Sequence, residues 1–340
     1  MNEQTQRLRH SSDDEPGYTR KRQGRYWAYF DEQGKRITKR DEIDRLNAIG
    51  LPPAYTDAWF CKDANGHLQA TGRDARGRKQ YRYHPDFRRR RDKSKYADCL
   101  AFGKSLPKLR ARVERDLRKR NLDRDTVLAA VVRLLDTEFL RVGNEEYAKS
   151  NKSFGATTLR AHHLRSKGGR LKMRFKAKHG IVRELTITDR NLKRIVAKCQ
   201  DLPGQMLFQY VNGDGVPQPV TSSDVNDYIR DASGEDFTAK HFRTWAASVI
   251  FFEQLLEAKE KRISLKTALE PVAEALGNTA AISRESYVHP RLIETVRDRP
   301  VDPLNGMERP RARRRLSAGE AGFLNFLKRR RRKSSRKTAA

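Results

Sequence analysis

Cysteine is nearly missing from this chain: Cys61, Cys99 and Cys199 are the three among 340 residues, too few and too scattered for a disulfide framework or a metal knuckle. Such scarcity suits a reduced, intracellular setting. Long apolar runs are missing as well, and no stretch approaches the roughly 18 consecutive apolar residues that span a membrane. The opening MNEQTQRLRHSSDDEPG lacks the basic-then-apolar pattern of a secretory signal. Neither a lipidation motif nor a basic amphipathic segment with an exposed apolar face is present. A Walker phosphate loop, a dinucleotide fingerprint and a zinc-ligand cluster are also absent, which weighs against ATP- and metal-dependent chemistry. The pair His162 and His163 does not change this, because adjacent histidines on an extended segment point apart and no third ligand is spaced nearby. No segment repeats with a period of roughly 20 to 50 residues.

Negative charge is in short supply too. Lys and Arg number 73 against 43 Asp and Glu, a net charge of +30. The run KRRRRKSSRK from Lys328 to Lys337 carries eight of those positive charges, so removing it still leaves +22 on the rest. The body itself is basic. A polyanionic partner follows, because every phosphate neutralised by Lys or Arg releases condensed counterions. The length suits two domains or one large one and is ample for a buried core.

Along the chain, residues 1–24 are polar, punctuated by Pro and Gly and mixed in charge, which predicts a disordered leader. From Tyr26, short aromatic and β-branched runs alternate with turn signals: YWAYF, AWFCK, HLQAT and QYRYH, with Asn65-Gly66 as the strongest hairpin cue. One short helix is expected within DEIDRLNAIGLPP, ended by Gly50, Pro52 and Pro53. Residues 25–90 are thus a small β-rich domain. Residues 91–325 switch to a helical period, seen in Leu109, Val113 and Leu117, and in Val127, Ala130, Val131, Leu134 and Leu135. A two- or three-stranded β-hairpin interrupts them, since Leu171, Met173 and Phe175, then Leu185 and Ile187, alternate with polar residues around Lys178-His179-Gly180. Further helices are expected at 189–200, 223–231, 237–258, 264–276 and 279–288, with Ser223 and Ser264 as N-caps and Gly277 as a stop. Residues 326–340 read as a basic disordered tail.

Four strings stand out among the cations: FLRVGNEEYAK at 139–149, RFKAKHG at 174–180, TAKHFRTW at 238–245 and LGNTAAISRESYVHP at 276–290. With GRDARGRKQYRYHP at 72–85, and in this order, they make the chain resemble the type IB DNA topoisomerases of the small bacterial and poxvirus-like branch. The resemblance implies an α+β protein whose small β-rich N-terminal domain and mainly helical catalytic domain, akin to that of tyrosine recombinases, close around duplex DNA. It implies relaxation of supercoils without ATP, metal or other cofactor, by a monomer acting on the DNA of the bacterial nucleoid in the cytoplasm. It also implies an active site of Arg141, Lys178, Arg243, Asn278 and Tyr287.

Each of these residue types suits its implied role. A phenol is a better leaving group than an alkoxide, so a 3′-phosphotyrosyl link through Tyr287 stays reversible. Arg141 and Arg243 offer guanidinium forks that match the non-bridging phosphate oxygens, although Arg141 has Glu145 one helical turn away as a rival partner. Lys178 would donate the proton that the 5′ alkoxide requires. Two positions depart from the family pattern. Ala177 and His179 flank Lys178 where Gly and a small polar residue are usual, and Asn278 stands where most relatives have histidine. An amide donates a hydrogen bond but cannot become cationic, so less charge stabilisation and less pH sensitivity are expected.

The resemblance further implies DNA contacts from Lys240, close to one turn before Arg243, from Tyr147, and from Arg73, Gln80, Tyr81 and Tyr83. Alternation puts Tyr81 and Tyr83 on one face of a strand and Gln80 on the other. Between residues 73 and 95 lie eleven Lys/Arg and three Asp, a density that phosphate contacts explain. Two other functions compete: a site-specific tyrosine recombinase, disfavoured by the β-rich N-terminal segment where a helical one is usual, and a non-catalytic DNA binder.

Overall fold

The computed structural model describes residues 8–75, 77–167, 170–258, 263–298, 304 and 310–329, with the side chains of 90–95, 147, 167, 297 and 298 left aside. The chain divides into two compact units, Met1–Lys95 and Tyr96–Ala340.

In the first unit, β1 (Thr19–Gln23) and β2 (Tyr26–Phe30) form a hairpin, and α1 (Arg40–Ala48) follows. Then β3 (Thr56–Phe60), β4 (Leu68–Arg73) and β5 (Lys79–Tyr83) make an antiparallel sheet in that order. Tyr29, Leu46, Leu51, Phe60 and Ala70 are its core, with the Tyr29 ring edge-on to Phe60 at 5.3 Å. The turn marked by Asn65-Gly66 does join β3 to β4, but glycine is required there for space rather than for backbone freedom: a Cβ at Gly66 would lie 2.6 Å from Cys61 Sγ.

The expectation of disorder throughout 1–24 fails from residue 8 onward. β1 lies inside that span, Ser11 is buried and donates to the Leu68 carbonyl at 3.0 Å, and the Trp59 indole donates to the Glu15 carbonyl at 2.9 Å. The segment is held by polar partners supplied by the sheet, which its own composition does not reveal. Residues 1–7 lie outside the described residues.

α2 (Pro85–Ala97) crosses into the second unit, so the boundary falls at 95/96 rather than 90/91. There follow α3 (Cys99–Leu117), α4 (Arg124–Thr137), α5 (Glu145–Asn151), β6 (Leu164–Lys167), β7 (Arg170–Lys176), β8 (Val182–Ile187) and α6 (Arg190–Gln200). The short strands β9 (Gln209–Val211) and β10 (Pro217–Pro219) precede α7 (Ser222–Ser233), α8 (Ala239–Ala258), α9 (Leu265–Leu276), α10 (Ala280–Ser286), α11 (Pro290–Asp298) and α12 (Ala318–Lys328). α4 is apolar on nearly every side, as a central helix must be. Val127 to Val132 are all buried, and α3, α6, α7 and α8 pack around it.

The inserted hairpin is a three-stranded sheet, with β6 added and Leu171 opposite Ile187, Met173 opposite Leu185. Ser264 and Gly277 cap α9 as expected. The cap of α7 is Thr221 rather than Ser223, because Asp224 completes a capping box: the Thr221 hydroxyl accepts from the Asp224 amide at 3.1 Å and the Asp224 carboxylate accepts from the Thr221 amide at 2.8 Å. At the C-terminal end, order continues past residue 325: α12 runs to Lys328 and Phe326 is buried against Phe252 and Phe323. The remainder of the expected tail, from residue 330, lies outside the described residues. The architecture is α+β, a β-rich N-terminal unit and a mainly helical one carrying a small sheet. Among the described residues no helix is long and apolar enough to cross a membrane.

Candidate active site

The segments that follow α4, β7 and α9, together with α8 and the end of α10, deliver five side chains to one region of the second unit. Arg141 leaves α4 on a strained stretch, with Phe139 at φ 54° and Gly143 at φ 112°. That stretch is pinned when the Arg141 carbonyl accepts from the Ala156 amide at 2.8 Å. The close approach demands glycine at 155, where a Cβ would lie 2.6 Å from the Arg141 carbonyl oxygen. Lys178 is exposed in the turn after β7, closed by the Ala177 amide donating to the Ile181 carbonyl at 2.7 Å. The unusual His179 takes the left-handed conformation at φ 67°, beside Gly180 at 76°, so the departure from the family pattern leaves a closed turn at a cost of about 1 kcal/mol.

Arg243 is the buried hub of the region, 4% exposed on α8. It donates to the Phe139 carbonyl and, at 2.9 Å, to the Leu276 carbonyl. These acceptors lie two residues before Arg141 and two before Asn278. Its Nε is buried without a hydrogen-bond partner, and its guanidinium carbon sits 4.9 Å from the centre of the Tyr287 ring. Burial and the neighbouring Arg141 push this guanidinium down to about 10, opposed by Tyr287, so it stays cationic at neutral pH.

Asn278 directly follows Gly277, whose left-handed backbone at φ 59° ends α9. The Asn278 amide oxygen accepts from Arg141 Nη2 at 2.6 Å, while its Nδ2 is buried and makes no hydrogen bond. Glu145, the rival partner for Arg141, is occupied by Arg160 at 2.8 Å. Tyr287 caps the C-terminal end of α10, its amide bonded to the Ser283 carbonyl at 3.1 Å. Burial alone would raise its phenol. The charges of Arg243, Arg141 and Lys178, with hydrogen bonding from Arg243, outweigh burial and bring the group below its usual 10. The ring is therefore held ready to carry negative charge.

Lys240 is exposed in the first turn of α8. Arg73, Gln80, Tyr81 and Tyr83 belong to the other unit. Tyr81 and Tyr83 share a face, their rings stacked at 6.2 Å, and Tyr81 is 46% exposed. Arg73 is already paired with Asp57 at 3.3 Å, and the Gln80 amide donates to Asp74 at 3.0 Å. Tyr147 lies in α5, with its side chain outside the described residues. His163 is buried, packs on Phe154 at 4.5 Å and accepts from the Arg160 amide at 3.0 Å, a structural role.

Two neighbours of the site escaped the sequence reading. Ser248, on α8, accepts from the His289 amide at 3.0 Å and so ties the chain just past Tyr287 to the helix of Arg243. Arg183 lines the cleft with Arg141 and Arg243. The alternation of β8, which puts Arg183 on the side of Leu185 and Ile187, is the signal that sets it apart from a solvent-facing cation.

Residues 84–302 match the family described as the catalytic core of eukaryotic DNA topoisomerase I, and residues 26–74 match the N-terminal domain of bacterial DNA topoisomerase IB. A DNA topoisomerase 1B of Acanthamoeba polyphaga mimivirus is 32% identical over 298 residues, covering 83% of this chain and 88% of the viral one. The DNA topoisomerase I of Monkeypox virus is 23% identical over 249 residues, 72% of this chain and 77% of its own. Among solved structures, the XerH site-specific recombinase bound to a palindromic difH substrate covers 56% of this chain and 50% of its own at 16% identity and a TM-score of 0.37, a likeness too slight to carry weight. Matched in order along both units, and similar over most of its length to a viral enzyme, the chain belongs to the type IB DNA topoisomerases.

Proposed function

We propose that this topoisomerase relaxes supercoiled duplex DNA by cutting and resealing one strand through Tyr287. The phenol loses its proton to water, and the phenolate oxygen attacks the scissile phosphorus. The bond to the 5′ oxygen breaks as the Lys178 ammonium protonates that oxygen, leaving a 3′-phosphotyrosyl link and a free 5′ hydroxyl. Arg141, Arg243 and Asn278 hold the non-bridging oxygens as charge builds on them. The freed strand swivels, driven by torsional strain in the DNA. Resealing is the same step reversed, with the phenolate as leaving group and Lys178 taking the proton back. The phosphodiester energy is kept in the covalent link, so ATP is not required, and fixed cations supply the charge neutralisation. One chain carries all five groups, so a monomer suffices.

The observation that carries this reading is the Tyr287 ring lying 4.9 Å from the buried Arg243 guanidinium, with the residue that holds Arg141, Asn278, keeping a buried Nδ2 that has nothing to donate to. A packed structural tyrosine needs no such surroundings, whereas a phosphate oxygen supplies the missing acceptor. The DNA grip is assigned to Lys240, Tyr147 and the strand face of Tyr81 and Tyr83, with Arg73 and Gln80 beside it.

The test is plasmid relaxation in EDTA without ATP. The wild type should relax supercoils, and Tyr287→Phe should not, while binding DNA equally well. Denatured complexes on labelled oligonucleotide should carry an adduct that maps to Tyr287. Relaxation by the Phe variant would remove the nucleophile, and product formed only with paired target sites would replace relaxation with strand exchange.

A further inference from the structure

Arg183 occupies a position where strand geometry disfavours a charge. On β8 the alternation leaves Val182 and Glu184 exposed, while Arg183 shares its side of the strand with the buried Leu185 and Ile187. A half-buried guanidinium there must find acceptors. It finds two main-chain carbonyls from the ends of two different helices: Nη2 donates to Glu138 at 3.2 Å and Nη1 to Glu274 at 3.2 Å. Glu138 ends α4 and Glu274 lies in the last turn of α9, so a single cation faces the negative ends of two helices. The contact is close enough that a Cβ on Gly277 would meet Arg183 Nη1 at 3.5 Å.

Each anchor leads within a few residues to a member of the active site. Arg141 lies three residues after Glu138, Asn278 four after Glu274, and Lys178 five before Arg183 itself. In the ladder Arg183 pairs with Phe175, the last buried residue of β7 before the Lys178 turn. Lys178 is exposed, and the sheet that carries it has no other arginine bridging it to both helix ends among the described residues.

We propose that Arg183 is a positioning residue that docks the β7–β8 turn against the ends of α4 and α9, and thereby sets the Lys178 ammonium at the leaving 5′ oxygen. This rests on the general-acid role given to Lys178 above. Loss of Arg183 then slows the step that needs the proton, and leaves attack by Tyr287 and the grip on the phosphate largely intact.

The discriminating substrate is an oligonucleotide with a 5′-bridging phosphorothiolate at the scissile position, whose sulfur leaves without a proton. On the ordinary phosphodiester, single-turnover cleavage by Arg183→Ala should fall about 10²-fold, the loss associated with misplacing a catalytic group by an ångström. On the phosphorothiolate it should recover to near the wild-type rate, as should Lys178→Ala. The double variant should be no slower on phosphodiester than Lys178→Ala alone. If Arg183→Ala does not fold by circular dichroism, Arg183→Lys is taken through the same pair of substrates, because one ammonium cannot span both carbonyls. Rescue of the Lys178 variant without rescue of the Arg183 variant overturns the positioning role alone. No rescue of Lys178→Ala overturns the acid assignment, and with it this inference. Rescue of Arg183→Ala by a methylphosphonate, which lacks one oxygen charge, makes Arg183 a direct phosphate clamp and also overturns it.

Discussion

Asn278 shows how much one side chain decides. Its oxygen holds Arg141 at 2.6 Å and its Nδ2 is buried without an acceptor, so in the proposed mechanism it orients one clamp while offering a neutral donor of its own. Histidine at the same place would add a charge below an imidazole pKa of about 6.5, pushed lower by Arg141. Its help to the transition state is present while the ring is protonated and lost as pH rises through that pKa. Asn278→His should therefore gain an acidic limb in its cleavage rate, fastest below about pH 6, where the wild-type profile is flat. Single-turnover rates between pH 5 and 8 check this, and parallel profiles would show that position 278 does not face the phosphate. The five candidates came from the family resemblance carried by four ordered motifs, each being of a type that suits its implied role, and the fold brings them to one region of the second unit. What Arg183 holds was not legible, since its significance lies in two main-chain carbonyls, from Glu138 and Glu274, and main-chain acceptors leave no trace in residue type.

Elements with a strong apolar period, such as α4 and the β7–β8 hairpin, could be read directly, whereas β1 and α12 depend on partners far along the chain. α12 contains Gly319 and Gly322, which look like breaks, yet a Cβ at Gly319 would lie 2.0 Å from Glu253 and one at Gly322 2.8 Å from Phe252. The glycines let α12 lie close on α8. The contact is locked by Glu320, whose carboxylate accepts from Arg110 at 2.7 and 2.8 Å and from the Trp245 indole at 3.0 Å. Trp245 is two residues from Arg243 on the same helix, so the lock braces α8 from behind. Burial alone would raise the Glu320 carboxyl, but Arg110, the Ser317 amide and Trp245 hold it below the ordinary 4.5. A carboxyl depressed by folding contributes its full stability above about pH 4.5, and that contribution drains away as pH falls through the folded-state value. Glu320→Gln should cost about 1–3 kcal/mol at neutral pH, the loss from weakened charge-assisted hydrogen bonds, since Arg110 keeps Asp136 at 2.8 Å. Denaturant melts of both proteins from pH 7 to pH 3 should show that gap narrowing below about pH 4.5. A gap independent of pH would mean the Arg110–Glu320 pair adds nothing to the hold on α12.

For the molecule as a whole, the dominant quantity is charge. A net +30 on 340 residues makes association with DNA a matter of counterion release, with log K falling by about 0.9 per phosphate contact for each decade of salt. Part of that charge lies in residues 330–340, outside the described residues. α12 closes at Lys328, and the Arg329 carbonyl is held by Arg291 at 2.8 Å, so a chain ending at Arg329 keeps every described contact of the helix. Residues 330–340 carry six Lys and Arg and no acid. If all six meet phosphates, their removal lowers the salt slope by about 5, and fewer contacts lower it in proportion. Single-turnover cleavage at saturating protein should not change, because the groups around Tyr287 lie wholly upstream. Multiple-turnover relaxation should fail at lower salt than in the full-length enzyme, because with fewer phosphate contacts the truncated enzyme leaves the plasmid between cycles. Anisotropy titrations of Tyr287→Phe, full-length and truncated, at several salt concentrations measure the slope without cleavage. Equal slopes would assign the whole electrostatic footprint to residues 1–329, which keep +24 of the +30.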